Sequence, residues 1–165
     1  MLGRLLVGII KGIVLGGLLG FGLVQLGMAA PGAIIAYLAA AATGILIGLI
    51  AGKPIWAKDA KIEAGMKAGV GALLGLGLMF AARRWLVFPV PALLLDATKV
   101  VVPAGEAAPS IGGFAMTSLA AIAAVLGGFY EVDNTPEGDK AEGKSDKTPG
   151  PKARIAEAPA DDEFE

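Results

Sequence analysis

The sequence predicts an all-α integral membrane protein of about four transmembrane helices, packed through glycine-zipper contacts and followed by a disordered C-terminal tail. Three observations carry this. The 165 residues are 55% hydrophobic, more apolar than the roughly 45–50% of an ordinary soluble domain. The apolar residues gather into four runs, each near the roughly 20 residues a bilayer span requires. Charge is pushed to the edges: residues 1–130 hold nine Lys/Arg against four Asp/Glu and residues 131–165 hold five against eleven, so a basic body is followed by an acidic tail.

The first span, residues 5–29, is interrupted only by Lys11, and the second, residues 33–51, carries no charge. Ala30, Pro31 and Gly32 lie between them, a breaker sequence that stops one helix and turns the chain, so a tight antiparallel hairpin is expected. A cleaved secretory signal is the rival reading, with "GMAAP" as the cutting site. Lys11 inside the apolar stretch, Pro31 after the cut and the length of the run favour a retained span.

Residues 53–67, "KPIWAKDAKIEAGMK", bring four lysines, two acids and a tryptophan, the composition of an interfacial loop on the cytoplasmic side. The third span, residues 68–88, is glycine-rich and contains Arg83 and Arg84. Pro89 and Pro91 then forbid regular helix, which gives an irregular loop over residues 89–110, with "WLVFPVPALLL" lying in the interface or re-entering. The fourth span covers residues 111–130. Residues 131–165 have few large apolar side chains, several prolines and dense mixed charge, too little burial to offset chain entropy, and are expected to be disordered.

Arg4 and the lysine-rich loop place the N-terminus on the cytoplasmic side, and four full spans bring the tail there too. A re-entrant third run would instead keep Arg83 and Arg84 inside and put the tail outside. The expected location is a bacterial inner membrane.

Glycines recur at every fourth position in "GIIKGIVLGGLLG": Gly8, Gly12, Gly16 and Gly20. Four residues advance 400° around a helix, so these glycines trace a slanted groove in which a partner helix can lie. Lipid gives no hydrophobic gain for helix association, and small residues let backbones approach. The second run has a matching stripe of Gly32, Ala36, Ala40, Gly44, Gly48 and Gly52. The leading expectation is that these two stripes pack on each other within one chain, and the alternative is that they line contacts between subunits. Over these two runs the pattern resembles glycine-zipper membrane segments. Gly69, Gly71, Gly75 and Gly77 are expected to pack the third helix. Their alternation resembles the inner helix of the ATP synthase rotor ring, but no mid-membrane carboxylate accompanies it.

Arg4, Lys11, Leu18 and Gln25 are seven apart and share a stripe about 130° from the glycines. Arg4, Lys11, Gln25, Arg83 and Arg84 are candidates for lining a wet lumen or for meeting headgroups, and snorkelling is the simpler role for Lys11. Thr117 and Ser118 are expected to bond backbone carbonyls. The terminal Asp161, Asp162, Glu163, Phe164 and Glu165 could dock on a basic groove with an apolar notch.

With neither cysteine nor histidine, the chain lacks thiolate chemistry, the usual zinc ligands and the commonest general base. No catalytic residue, cofactor or metal is expected, and nothing calls for nucleic acid. The partners expected are anionic lipid headgroups and another membrane protein or a second copy. The function expected is that of a scaffold or accessory subunit of a membrane complex. The alternative is a self-assembling pore: length, span number and charged tail resemble holins, with an acidic tail where theirs tend to be basic.

Overall fold

A computed structural model describes residues 2–51 and 61–133. Their elements are α1 (Leu2–Gln25), α2 (Ala33–Ile50), α3 (Lys61–Trp85), α4 (Ala92–Ala97) and α5 (Ala115–Asp133). The only β-pairing among these residues is a lone antiparallel bridge between Pro89 and Ser110. Helices α1, α2, α3 and α5 are each long and apolar enough to cross a membrane. At about 1.5 Å per residue, α2 and α5 reach about 27–29 Å, close to the ~30 Å hydrocarbon core, and α1 and α3 reach about 36–38 Å. The extra length carries Arg4, Lys61, Arg83 and Arg84 toward the ends of the bundle.

Helix boundaries differ from expectation where local chemistry intervenes. α1 stops at Gln25 rather than at residue 29, because Gly27 adopts φ +78°. The Met28 amide donates to the Leu23 carbonyl at 2.9 Å and the Gly27 amide to Val24 at 2.9 Å, the paired bonds of a glycine C-terminal cap. Pro31 is therefore not what ends the helix. Residues 61–67 are not loop but the first two turns of α3, where Lys67 and Glu63 pair at 2.6 Å one turn apart. The rest of the expected interfacial loop, and Gly52, lie outside the described residues.

The third helix runs unbroken to Trp85 and ends just ahead of Pro89 and Pro91. Its 25 residues are long enough for a full span. The loop after it is more ordered than predicted. It contains α4, and the Val90 amide bonds Pro109 at 2.9 Å while the Ile111 amide bonds Phe88 at 2.8 Å. α5 starts at Ala115 and continues through Glu131 to Asp133, so the first three residues assigned to the tail are helical.

The four long helices alternate in direction. One end of the bundle gathers the start of α1, the end of α2, the start of α3 and the end of α5: Gly8 lies against Gly127, Gly48 against Lys67, and the Tyr130 hydroxyl donates to the Lys67 carbonyl at 2.9 Å. At the other end the Ala115 amide bonds Ala29 at 2.8 Å and the Arg83 guanidinium donates to Pro31 at 3.1 Å. The α1–α2 turn is thus tied to both other long helices.

The expected pairing of the two stripes is corrected here. α1 packs chiefly on α5, and α2 chiefly on α3; α1 and α2 touch only slightly. The short connection over residues 26–32 makes neighbours in sequence, but the deepest contact goes to whichever helix offers a matching small surface along its whole length. The two pairs meet in a core of Ala36, Ala40, Ile47, Met79, Leu119, Ile122, Ala123, Leu126 and Tyr130. A smaller cluster of Val24, Val90, Leu95 and Phe114 seats α4 and its loop on the bundle end. Ile10, Leu18, Ile34, Leu38, Leu73 and Phe80 face outward and are exposed. Apolar exposure on this scale exceeds that of water-soluble monomers and suits a hydrocarbon solvent.

Two sets of glycine variants test the pairing. Gly12→Ala and Gly44→Ala should each lower the melting temperature of the detergent-solubilised protein, by about 1–3 kcal/mol of stability, because the new methyl meets opposing backbone. Gly17→Ala and Gly69→Ala, whose added carbon meets nothing within 4 Å, should leave it unchanged or raised.

Candidate functional site

The residues singled out in the sequence belong to two sets, the small-residue faces where helices meet and the charges at the bundle ends. On α1, Gly8, Gly12, Gly16 and Gly20 are the buried positions together with Val24. A Cβ placed on Gly8 would fall on the Gly127 carbonyl oxygen, one on Gly12 on that of Ala123, one on Gly16 on that of Leu119, and one on Gly20 would lie 2.5 Å from that of Ala115. Each four-residue step along α1 is answered by a four-residue step back along α5. Carbonyl oxygens therefore sit where side chains would otherwise be, directed at glycine Cα atoms. That geometry permits Cα–H···O contacts, each worth about 0.5–1 kcal/mol.

The α2–α3 pair repeats the arrangement. Gly44 and Gly71 each point at the other's carbonyl oxygen, Gly48 meets Lys67, and a Cβ on Gly75 would lie 2.5 Å from the Ala40 oxygen. Ala36 and Ala40 are fully buried on the same face. Gly32, Gly69 and Gly77 are different: an added Cβ at any of them meets nothing within 4 Å, so none lies at a helix contact inside the chain. Gly69 and Gly77 are each two residues from a packed glycine, about 200° around the helix.

The sequence reading missed the α5 partner face of Ala115, Leu119, Ala123 and Gly127, where a leucine interrupts the small residues. It also missed Gly112, whose added Cβ would fall on the Ala82 carbonyl oxygen. The signal available was the four-residue spacing from Ala115 to Gly127.

Arg4, Lys11, Leu18 and Gln25 are all exposed along α1, and of the four Lys11 reaches across to α5. Within one chain this stripe lines no lumen. Lys11 pairs with Glu131 at 3.2 Å, its own side chain half exposed and that of Glu131 largely covered. Lys11 is nine residues past Leu2, about 13 Å along the axis, so the pair ties α1 to the end of α5 well inside the helix rather than at its tip. Arg83 is half-buried with its guanidinium on Pro31, whereas Arg84 is exposed. The candidate docking residues Asp161, Asp162, Glu163, Phe164 and Glu165 lie outside the described residues.

The buried hydroxyls serve the backbone. Thr43 donates to Ala39 at 2.8 Å, Thr98 to Leu94 at 2.7 Å and Ser118 to Phe114 at 2.9 Å. Thr117 reaches the Ile111 carbonyl and, at 3.2 Å, that of Phe114. Every buried side-chain polar atom among the described residues has a partner. Concave surfaces among the described residues include two apolar grooves between helices and a loop-lined hollow between Ala29 and residues 100–109. One apolar groove of about 230 Å³ runs between α3 and α5 past Leu78, Ala81, Trp85 and Ala121, and another of about 560 Å³ lies between α1 and α2 past Leu18, Leu23 and Ala42.

Two interhelical bonds give measurable expectations. Lys11→Gln and Glu131→Gln should each cost stability and their combination no more than either alone, with a coupling of about 1 kcal/mol or less for so exposed a lysine. Tyr130→Phe removes the bond to Lys67 and leaves a partly buried carbonyl one donor short, a loss of about 1 kcal/mol. Thermal melts of the four variants in one detergent check both.

Comparison with known protein families, curated proteins and solved structures finds no match for this chain.

Proposed function

We propose that this chain is a non-enzymatic integral membrane protein, a scaffold or accessory subunit of a membrane complex, held by glycine-zipper packing. The observation that supports the reading most is how the interior is filled. Backbone lies against backbone along α1–α5 and α2–α3, and the buried Thr43 and Ser118 hydroxyls are bonded to backbone carbonyls one turn back in their own chain segment. Such a body is stiff, and its small-residue interior leaves its outer faces for partners. Gly17, Gly22, Gly65, Gly69 and Gly77 open on those faces with no neighbour within 4 Å of an added Cβ, which would admit a helix of another protein or of a second copy.

The alternation of the four helices favours one side for the N-terminus and the start of the tail. The basic side chains Arg4, Lys61 and Lys67 at that end favour the cytoplasm and anionic headgroups. A bacterial inner membrane is part of this proposal.

A self-assembling pore is the second reading, supported by the outward stripe of Arg4, Lys11 and Gln25. Copies arranged with α1 inward would turn that stripe into a lumen.

The native mass and composition of the complex, extracted from its own membrane in a lipid-preserving polymer, tests the two together. The scaffold reading expects stoichiometric copies of a different membrane protein. A homo-oligomer of defined size whose ion selectivity inverts with Lys11→Glu would replace it with the pore, and a lone monomer would contradict both.

A further inference from the structure

The two helical hairpins of the chain, α1–α2 and α3–α5, correspond to each other. Adding 55 to the residue number carries residues 16–24 of α1 onto residues 71–79 of α3, "GGLLGFGLV" onto "GALLGLGLM", with six of nine residues the same. Adding 75 carries α2 onto α5, so that Ala40, Thr43 and Ile47 fall on Ala115, Ser118 and Ile122. Glycine and leucine are common in apolar helices, and burial is the stronger observation. Gly16, Gly20 and Val24 are buried on α1, and their counterparts Gly71, Gly75 and Met79 are buried on α3. Each buried residue of α2 from Ala40 to Gly48 falls on a buried residue of α5, and the reverse holds from Ala115 to Ala123. The buried hydroxyls agree as well: Thr43 donates to Ala39 and Ser118 to Phe114, and Ala39 is the counterpart of Phe114.

The helix contacts repeat in the same register. Gly16 faces the Leu119 carbonyl and Gly71 that of Gly44, while a Cβ on Gly20 would lie 2.5 Å from the Ala115 oxygen and one on Gly75 2.5 Å from that of Ala40. Exchanging α1 with α3 and α2 with α5 therefore turns one deep pair into the other. It leaves the α2–α5 contact in place and interchanges the lighter α1–α2 and α3–α5 contacts. α1 and α3 run in the same direction, so the exchange is a two-fold rotation about an axis along the bundle, the relation of two parallel repeats. Gly12 falls on Lys67, and there the glycine is on the other helix of the pair, where Gly48 meets the Lys67 carbonyl. The shift grows by 75 − 55 = 20 residues between the helices. Those residues lie in the turn of the second hairpin, where α4 and its loop pack on Val24 and Ala29 of the first.

We propose that α1–α2 and α3–α5 are two copies of one helical hairpin, and that the small-residue faces of each hairpin are built to receive a hairpin of the same kind. The four-helix body is then a two-fold dimer of hairpins held in one chain. Each hairpin splays its two helices and gives one to each deep pair, so neither hairpin fills its own packing faces. The partner that fits α1 is a helix of the α2 kind, and within this chain α5 takes that place. The proposal is independent of whether the protein is a scaffold or a pore.

Spin labels on paired cysteines of the full-length protein test the two-fold relation. Leu18→Cys with Val125→Cys reads α1 against α5, and Leu73→Cys with Ile50→Cys, the counterpart positions, reads α3 against α2. Leu18→Cys with Ile50→Cys and Leu73→Cys with Val125→Cys form the second set. The two distances within each set should agree within the width of their distributions, and unequal distances in either set would overturn the proposal. Interchangeability is tested by giving residues 115–127 the sequence of residues 40–52. Ile9→Cys and Gly128→Cys, whose positions face each other, report the α1–α5 pairing as a disulfide. The link should form within one chain as it does without the replacement. The sequence of residues 39–51 in the same place is one residue out of register, brings Ala123→Ile and Gly127→Ala to the α1 face, and should lose the link. Loss of the link with the in-register segment, or its survival with both segments, would overturn the proposal. Absence of the link without any replacement would overturn the α1–α5 pairing beneath it.

Discussion

The structure depends on carbonyl oxygens of one helix lying where the side chains of its neighbour would be. Gly8, Gly12, Gly16 and Gly20 allow this on α1, and Gly44, Gly48, Gly71 and Gly75 allow it on the α2–α3 pair. In water four glycines in one helix would cost about 1 kcal/mol each in helix propensity. In hydrocarbon, unpaired backbone groups are costly enough to hold the helix without that help. The missing side chains then become the means of association, since dispersion and Cα–H···O contacts act only at short range.

Other features follow from these two pairs. Once α1 is committed to α5 and α2 to α3, the pairs meet over Ile47, Met79, Ile122 and Leu126, larger side chains that fill the wider space between them. Polar bonds then tie the helices in each half of the bundle. Lys11 with Glu131 and Tyr130 with Lys67 join them in one half, and Arg83 with Pro31 and Ala115 with Ala29 in the other. A four-residue slip along a small-residue groove changes the packing little, because each step resembles the last. These bonds break that degeneracy: a slip of α1 by one turn would carry Lys11 about 6 Å from Glu131.

Much of this was legible in the sequence. Run length pointed to the four helices long enough to span, and spacing to the buried faces of α1, α2 and part of α3. The partner of each face was not legible, because a stripe of small residues states how closely another backbone can come and not which backbone comes. Leu119 hid the α5 face by interrupting Ala115, Ala123 and Gly127. Separating Gly71 and Gly75 from Gly69 and Gly77 needed only the 100° turn per residue. The lysine-rich composition of residues 53–67 suggested a loop, yet within residues 61–67 the Glu63–Lys67 spacing of one turn suits a helix. At the end of α1 the proline drew attention from Gly27, whose left-handed backbone forms the cap.

The pairing of α1 with α5 is the central claim, and an intramolecular disulfide tests it most directly, in a chain that has no cysteine of its own. A Cβ on Gly128 would lie 3.1 Å from the Ile9 side chain, so Ile9→Cys with Gly128→Cys brings two thiols within bonding range. Oxidised in native membranes and separated under non-reducing conditions, the double variant should run as a linked monomer, with a single fragment joining α1 to α5 after cleavage between α2 and α3. No link, or one formed only between two copies, would contradict the account.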